Sequence, residues 1–222
     1  MLKADLHLHS QYSGDSHSSL EDIVSQCVAT GVNCLALTDH NSIEGAVLLK
    51  EMAPFTVIVG EEIRTSRGEI IGLFLTKRVP PDLTPQETVK RIKAQGGLVL
   101  IPHPFDSHFR PSAIERSALE SIVKDIDIIE VFNSHTVFPG DSAKAYRFAK
   151  KHRLLGSAGS DAHTVVEIGS SYIEMPEFAG AEGFKKSLMK ATINGHIANP
   201  FHRLVSVMRK ASKKIRKRLC IG

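Results

Sequence analysis

The sequence predicts an α/β protein in which strands and helices alternate around a parallel sheet. Two observations carry that expectation. Short apolar runs rich in β-branched residues alternate with segments of helical period from the start of the chain to about residue 176. The runs are apolar almost throughout, as strands buried on both faces should be. The size agrees: 222 residues, 42% apolar and 23% charged, suit one globular domain. Such a chain buries roughly 70% of its unfolded surface, enough to carry polar groups inside without a disulfide.

Taken in order, the expected strands are Ala4–His9, Cys34–Thr38, Thr56–Ile63, Ile70–Leu75, Leu98–Pro102, Ile126–Phe132, Leu154–Ala158 and Tyr172–Met175. Helix starts fall between them. Thr84-Pro85-Gln86-Glu87 joins an N-cap, a first-turn proline and a glutamate three residues on, predicting a helix over 85–95 that stops at Gly96-Gly97. Ser19-Leu20-Glu21-Asp22 opens another that runs to Gly31. Ser42, Ser117, Asp141 and Gly180 open further helical stretches. The chain shows no linker, repeat or low-complexity tract, and its one boundary is compositional, near Asn199-Pro200.

Charge marks that boundary. The net charge is +4, yet eight Lys/Arg lie between Arg203 and Arg218 while every Asp and Glu lies at or before Glu182. A body with a small negative excess suits cations, and a basic tail suits anions. In the tail, Leu204, Val207, Met208, Ala211, Ile215 and Leu219 recur at helical spacing, which predicts an amphipathic basic helix over 199–222 beside a 1–198 body. That helix could pack for solubility or touch nucleic-acid phosphates. Cys27, Cys34 and Cys220 form an odd set without C-x-x-C spacing, and the N-terminus lacks a long apolar run. A reduced, cytoplasmic protein without a transmembrane segment is expected.

The eleven histidines are informative through their positions. Asp5-Leu6-His7-Leu8-His9 alternates, so an ideal strand would point Asp5, His7 and His9 to one face. The next strands end in Thr38-Asp39-His40, Gly60-Glu61-Glu62, Pro102-His103-Pro104 and Glu130-Val131-Phe132-Asn133, and Ser160-Asp161-Ala162-His163 follows the seventh. A lone histidine there is usually structural. Six strand ends all carrying His, Asp or Glu make a poor core, since buried ionisable groups must be paired or bound to metal. The C-terminal edge of a parallel sheet is where α/β sites are built. Imidazole and carboxylate donors without thiolate suit zinc, manganese or iron.

These blocks resemble the PHP (polymerase and histidinol phosphatase) superfamily of metal-dependent phosphoesterases: Asp5-Leu6-His7-Leu8-His9-Ser10, Thr38-Asp39-His40-Asn41, His103-Pro104 and Ser160-Asp161-Ala162-His163 occur in the family's order. The resemblance implies a distorted (β/α)7 barrel with two or three divalent metals (Zn, Mn or Fe) at its mouth. It places His7, His9, Glu62 and Asp161 on the first metal. Glu62, chosen over Glu61 by the family pattern Gly-x-Glu-Ile, bridges to a second metal completed by His103 and a sixth-strand group, where Asn133 replaces the histidine of some relatives. Asp15, His40 and His163 hold the third. Glu69 stands where related phosphoesterases carry a histidine. The segment 195–219 looks like that attached to a stand-alone branch of the superfamily.

Other assignments stay open. Asp5 and Asp39 are expected either to fix imidazole tautomers or to cap helices. Arg64, His108, Arg110 and His135 lie in loops near the expected mouth and could bind phosphate, whereas His17, His152, His196 and His202 carry no such argument. The implied chemistry is hydrolysis of a phosphate ester by metal-activated hydroxide, with Asp161 orienting water and His163 a candidate proton donor. Substrates consistent with it are a nucleotide, a nucleoside bisphosphate or an oligonucleotide 5′ end, as in an exonuclease. Histidinol phosphate or another small phosphomonoester is the alternative, and a non-catalytic metal-binding regulatory module is the alternative of another class.

Overall fold

The computed structural model describes residues 1–106 and 110–197. The basic helix expected over 199–222, its boundary at 198 and His108 lie outside the described residues. The strands are β1 (Leu2–Leu8), β2 (Cys34–Leu37), β3 (Thr56–Thr65), β4 (Gly68–Leu73), β5 (Leu98–Ile101), β6 (Ile128–Asn133), β7 (Leu155–Gly159), β8 (Ser171–Met175) and β9 (Thr192–Gly195). The helices are α1 (Leu20–Thr30), α2 (Glu44–Met52), α3 (Pro85–Lys93), α4 (Arg116–Ser121), α5 (Pro139–His152) and α6 (Gly180–Leu188).

Local chemistry explains the helix starts. Ser19 accepts a hydrogen bond from the Asp22 N–H at 3.1 Å, and Thr84 accepts from the Glu87 N–H at 3.2 Å. Each such cap contributes ~1 kcal/mol. α5 begins two residues before Asp141 because Pro139 is pre-set for a first turn.

The strands form one sheet in the order β7-β6-β5-β4-β3-β2-β1-β8-β9. Neighbours β1–β2–β3 and β5–β6–β7 are parallel, as expected. The parallel expectation is corrected elsewhere: β4 is antiparallel to β3 and β5, β8 to β1, and β9 to β8. β3 and β4 make a hairpin, and at Gly68 (φ +112°) a Cβ would lie 2.3 Å from Ile114 Cα. That reversal matters for the site, because it brings the start of β4 to the edge where β3 ends. β9 was not expected; its short, mostly exposed Thr-Ile-Asn-Gly run carries little strand signal.

The sheet curls until the end of β7 meets β1. The Asp161 N–H donates to the His7 carbonyl at 2.7 Å, and the His9 N–H donates to the Ala162 carbonyl at 2.9 Å. Strands β1 to β7 are thus the distorted barrel, nearly closed at its mouth, while the lower half of β1 pairs with β8. One apolar group gathers Ala4, Leu6, Ala36, Ile58, Ile71 and Leu100 from successive strands together with Phe184 of α6. A second packs helices α1 to α5 on the sheet's other face. The β1–β2 register slips between Asp5 and Leu8, and Leu6 and Leu8 join opposite apolar groups. This irregularity corrects the expectation that Asp5 shares a face with His7 and His9.

Candidate metal centre

Donor atoms converge at the mouth. His7 Nε2 lies 3.4 Å from Glu62 Oε2 and 3.5 Å from Asp161 Oδ1, and His9 Nε2 lies 3.3 Å from each. Four donors set tetrahedrally ~2.1 Å from a cation stand ~3.4 Å apart, so this group has the spacing of a metal site. Both Nε2 atoms are buried and make no hydrogen bond, which is costly unless a cation takes the lone pairs. The residues therefore fit the metals that the resemblance implies.

Two further groups adjoin the first through Glu62. Its Oε1 lies 3.2 Å from His103 Nε2, while its Oε2 lies 3.1 Å from His40 Nδ1. Asp15 Oδ2 is 3.2 Å from both His40 Nε2 and His163 Nε2. Glu69, at the start of β4, stands 3.8 Å from His40 Nδ1 at the edge of this group. All eight expected His, Asp and Glu donors thus meet at the mouth.

The backbone holds several donors in an unusual conformation. His103 (φ +31°) and Asp161 (φ +54°) occupy the positive-φ region, which L-residues adopt at a cost of ~1–2 kcal/mol. Asp and His are among the residues that tolerate it best. Gly159 needs to be glycine, because a Cβ would lie 2.4 Å from His7 Cβ and 2.7 Å from Glu130 Oε1.

Electrostatics within the cluster follow from burial and pairing. Burial, helped by His163 and His40, pushes His9 down to about 3. Burial also opposes charge on His40, but Glu62, Asp15 and Glu69 outweigh it and raise His40 to about 9. His7 is likewise desolvated, yet Asp161, Glu130 and Glu62 hold it well above the ordinary imidazole range. Burial favours protonation of Asp15, Glu62 and Asp161, but their imidazole neighbours, and Arg110 for Asp161, hold each well below the usual carboxylate range. Glu69 is raised by burial and by Glu62. Protonated imidazoles and Arg110 thus balance the carboxylates in the positions where cations would.

Other expected residues have different roles. Asn133 turns its amide NH₂ to Glu130 Oε2 (3.0 Å) and Asp161 Oδ2 (3.3 Å), and its oxygen accepts from the His135 N–H (2.8 Å). In this arrangement it sits beside the donors with its amide oxygen turned to backbone. Arg64 is exposed and pairs with Asp82 at 2.8 Å. His135 lies one layer back, its Nε2 3.0 Å from Glu167, whose other oxygen accepts from the His163 N–H. Arg110 does reach the centre, pairing with Asp161 Oδ2 and with Asp106. Asp5 and Asp39 fix backbone rather than imidazoles: Asp5 accepts from the N–H of Ser160 and Gly169, and Asp39 from the N–H and hydroxyl of Ser10.

Sequence reasoning missed the role of Glu130. Its Oε1 lies 3.1 Å from His7 Nδ1, and its Oε2 accepts from the His103 N–H at 2.8 Å. The available signal was a carboxylate inside the apolar run Ile128-Ile129-Glu130-Val131. Ser13 was missed too; its hydroxyl lies 3.1 Å from His9 Nδ1 and accepts from the His40 N–H.

A curled barrel whose mouth gathers imidazoles and carboxylates around shared points has the donor set to hold metal ions. Residues 5–100 match the PHP domain family and residues 139–193 the PHP-associated family, which corrects the expectation that the associated segment lies at 195–219. The chain belongs to the PHP superfamily of metal-dependent phosphoesterases. An uncharacterized protein of Methanocaldococcus jannaschii is 35% identical over 178 residues, 79% of this chain and 71% of that protein. Among solved structures, a two-domain Bacteroides vulgatus protein containing a predicted PHP-like metal-dependent phosphoesterase superposes with TM-score 0.71 at 20% identity. The match covers 88% of this chain, which spans 65% of that structure's length. Endonuclease Q, solved with a 27-mer duplex carrying an abasic lesion at its active site, superposes with TM-score 0.60 at 16% identity, over 85% of this chain and 56% of that one. No helix among the described residues is long and apolar enough to cross a membrane.

Proposed function

We infer that this centre hydrolyses phosphate esters with two or three divalent cations, drawn from zinc, manganese and iron, and that its substrate is a nucleotide, a nucleoside bisphosphate or an oligonucleotide 5′ end. The observation that carries the reading is the sharing of Glu62, whose two oxygens face three imidazoles on one side and His103 on the other. Cations held there supply Lewis acidity, lowering the pKa of water toward neutrality and offsetting charge on the phosphoryl and leaving oxygens.

The protein's own groups do the rest. His7, His9, Glu62, Asp161, His103, Asp15, His40 and His163 would hold the cations. Arg110 brings a guanidinium to the rim of the donor cluster, and its planar fork suits a phosphoryl group. Asp161 turns Oδ1 inward and Oδ2 toward Arg110, so it can orient water between donors and substrate. His163 keeps Nδ1 on the Asp161 carbonyl at 2.8 Å and Nε2 toward Asp15. That arrangement suits a ligand and argues against His163 as the leaving-group acid. The nucleotide preference draws support from Endonuclease Q, in which the same fold seats DNA.

The test is hydrolysis of a generic aryl phosphate and of a 5′-phosphorylated oligonucleotide with added manganese or zinc. Activity on both, abolished by chelation, is expected. Asp161→Asn keeps the shape and the tolerance of positive φ, and should cut turnover by roughly 100-fold or more through lost charge at the donors. Chelation-insensitive activity, or full activity in Asp161→Asn, overturns the assignment.

A further inference from the structure

Glu130 is buried in the middle of β6, 2% exposed. Both its oxygens are engaged. Oε1 lies 3.1 Å from His7 Nδ1. Oε2 accepts from the backbone N–H of His103 at 2.8 Å and from Asn133 Nδ2 at 3.0 Å, and the same Asn133 NH₂ lies 3.3 Å from Asp161 Oδ2. One carboxylate therefore links a donor on β1, the donor that follows β5 and, through Asn133, the donor that follows β7. The missing side chain at Gly159 makes room for Glu130 Oε1 beside His7.

We propose that Glu130 is a positioning residue that keeps the His7 proton on Nδ1, so that Nε2 faces the first cation, and that it couples the His7 and His103 cation sites by holding both donors at once. The physical reason is donor counting. A carboxylate only accepts, so every group facing it must donate. When His7 gives up one proton to bind a metal, the nitrogen facing Oε1 must keep its own, which leaves the Nε2 lone pair for the metal, the arrangement by which acceptors behind an imidazole tune its ligation. Oε2 has two N–H donors that cannot be reversed, from His103 backbone and Asn133 amide. A glutamine at 130 must keep its oxygen toward those two, which turns its NH₂ toward His7 Nδ1. His7 must then accept there, move its proton to Nε2 and lose its lone pair toward the metal, or break the contact.

This inference rests on the proposed function only in that the centre binds cations, and its test needs no substrate. The probe is zinc alone, titrated against a chromophoric chelator, with histidine ¹⁵N resonances recorded on the same samples. In Glu130→Gln, His7 and His103 should respond only at free zinc about 10–100-fold higher than in the unaltered protein. His40 and His163, which Glu130 does not touch, should respond at unchanged zinc. The zinc-loaded unaltered protein should show a protected His7 Nδ1–H and coordination through Nε2. Glu61→Gln, equally buried on the same sheet, should leave zinc binding unchanged. Unaltered zinc affinity in Glu130→Gln, or equal weakening at all four histidines, overturns the proposal. If Glu130→Gln does not fold, the unaltered protein decides: His7 coordination through Nδ1 overturns it. Failure of the unaltered protein to bind zinc, manganese or iron would instead remove the proposed function and this inference with it.

Discussion

The inner and outer donor groups of the mouth are built differently. His7, His9, Glu62, Asp161 and His103 sit on or directly after strands, and none is more than 3% exposed. Asp15 and His163 come from loops and are 6% and 8% exposed, while the His40 side chain is 20% exposed. The inner group is fixed by the sheet's own hydrogen bonds, including the β1–β7 closure through His7 and Asp161. The outer group leans more on loop contacts: Ser13 holds the backbone of His40, which also bridges to Glu62 of β3, and Glu167 holds that of His163. Ligands preset by a sheet spend less conformational entropy on binding than ligands on loops. The inner cations should therefore be retained and the outer one exchange.

The strongest way to break that comparison is at Glu62, which both groups share. Glu62→Gln removes the charge facing three imidazoles and His103 and should cost roughly 100-fold or more in turnover, with loss of more than one equivalent of bound metal. His40→Gln should lose only the outer cation and keep a smaller share of activity loss. Elemental analysis after gel filtration, paired with aryl phosphate turnover, measures both. Equal metal loss in the two variants would mean that the groups bind as one unit.

Acidity acts at a smaller scale and touches both groups, since His7 of the inner group is raised as His40 of the outer one is. Without metal, His40 is raised to about 9 by its carboxylate neighbours against the opposing effect of burial. Its pairing therefore stabilises the metal-free protein fully below the unfolded histidine pKa of ~6.5 and is lost as pH rises toward 9. Glu62, Asp15 and Asp161 are depressed, so their contribution is present above ~4 and lost on acidification. Zinc requires neutral imidazole, so uptake at His40 must expel a proton at neutral pH. The rise in Tm on adding zinc should grow from pH 6.5 to pH 9. His9, already pushed down to about 3, should contribute nothing to that slope. A zinc-induced rise that is flat or falling over this range contradicts the charge balance described for His40 and His7.

What the sequence reveals, and what it hides, divides along similar lines. The donors were legible because coordination demands particular residue types at strand ends, and their alternation with apolar residues is visible in one dimension. The barrel was legible through the PHP blocks. Strand direction was not: periodicity reports faces, and nothing in Gly68–Leu73 says that β4 runs backward, although that reversal is what carries Glu69 to the mouth. The slip in β1 was equally hidden, so Asp5 was grouped with His7 by ideal alternation. The contacts of Asn133 are hidden because a sequence position does not say which end of an amide faces the site. The role of Glu130 depends on three segments meeting around one side chain, which no local pattern encodes.

The smallest effect is expected at Glu61, whose neighbour Glu62 is central to the cluster. The two lie in succession on β3 and point to opposite sides. Glu61 Oε2 accepts from the Val79 N–H at 2.8 Å, and Arg78 Nε stands 3.9 Å from Oε1. Burial raises this carboxyl to about 7. A folded pKa above the unfolded value means that the native state binds the proton more tightly, so stability falls as pH climbs from ~4.5 through about 7. Glu61→Gln keeps an oxygen for Val79 and cannot ionise. It should therefore match the unaltered protein at pH 5 and exceed it at pH 8 by on the order of 1 kcal/mol, a few degrees in Tm. Bound metal and aryl phosphate turnover should not change. Thermal melts at the two pH values, with elemental analysis, check the pair of outcomes. Metal loss in Glu61→Gln would place both glutamates in the centre and undo the two-sided reading of β3.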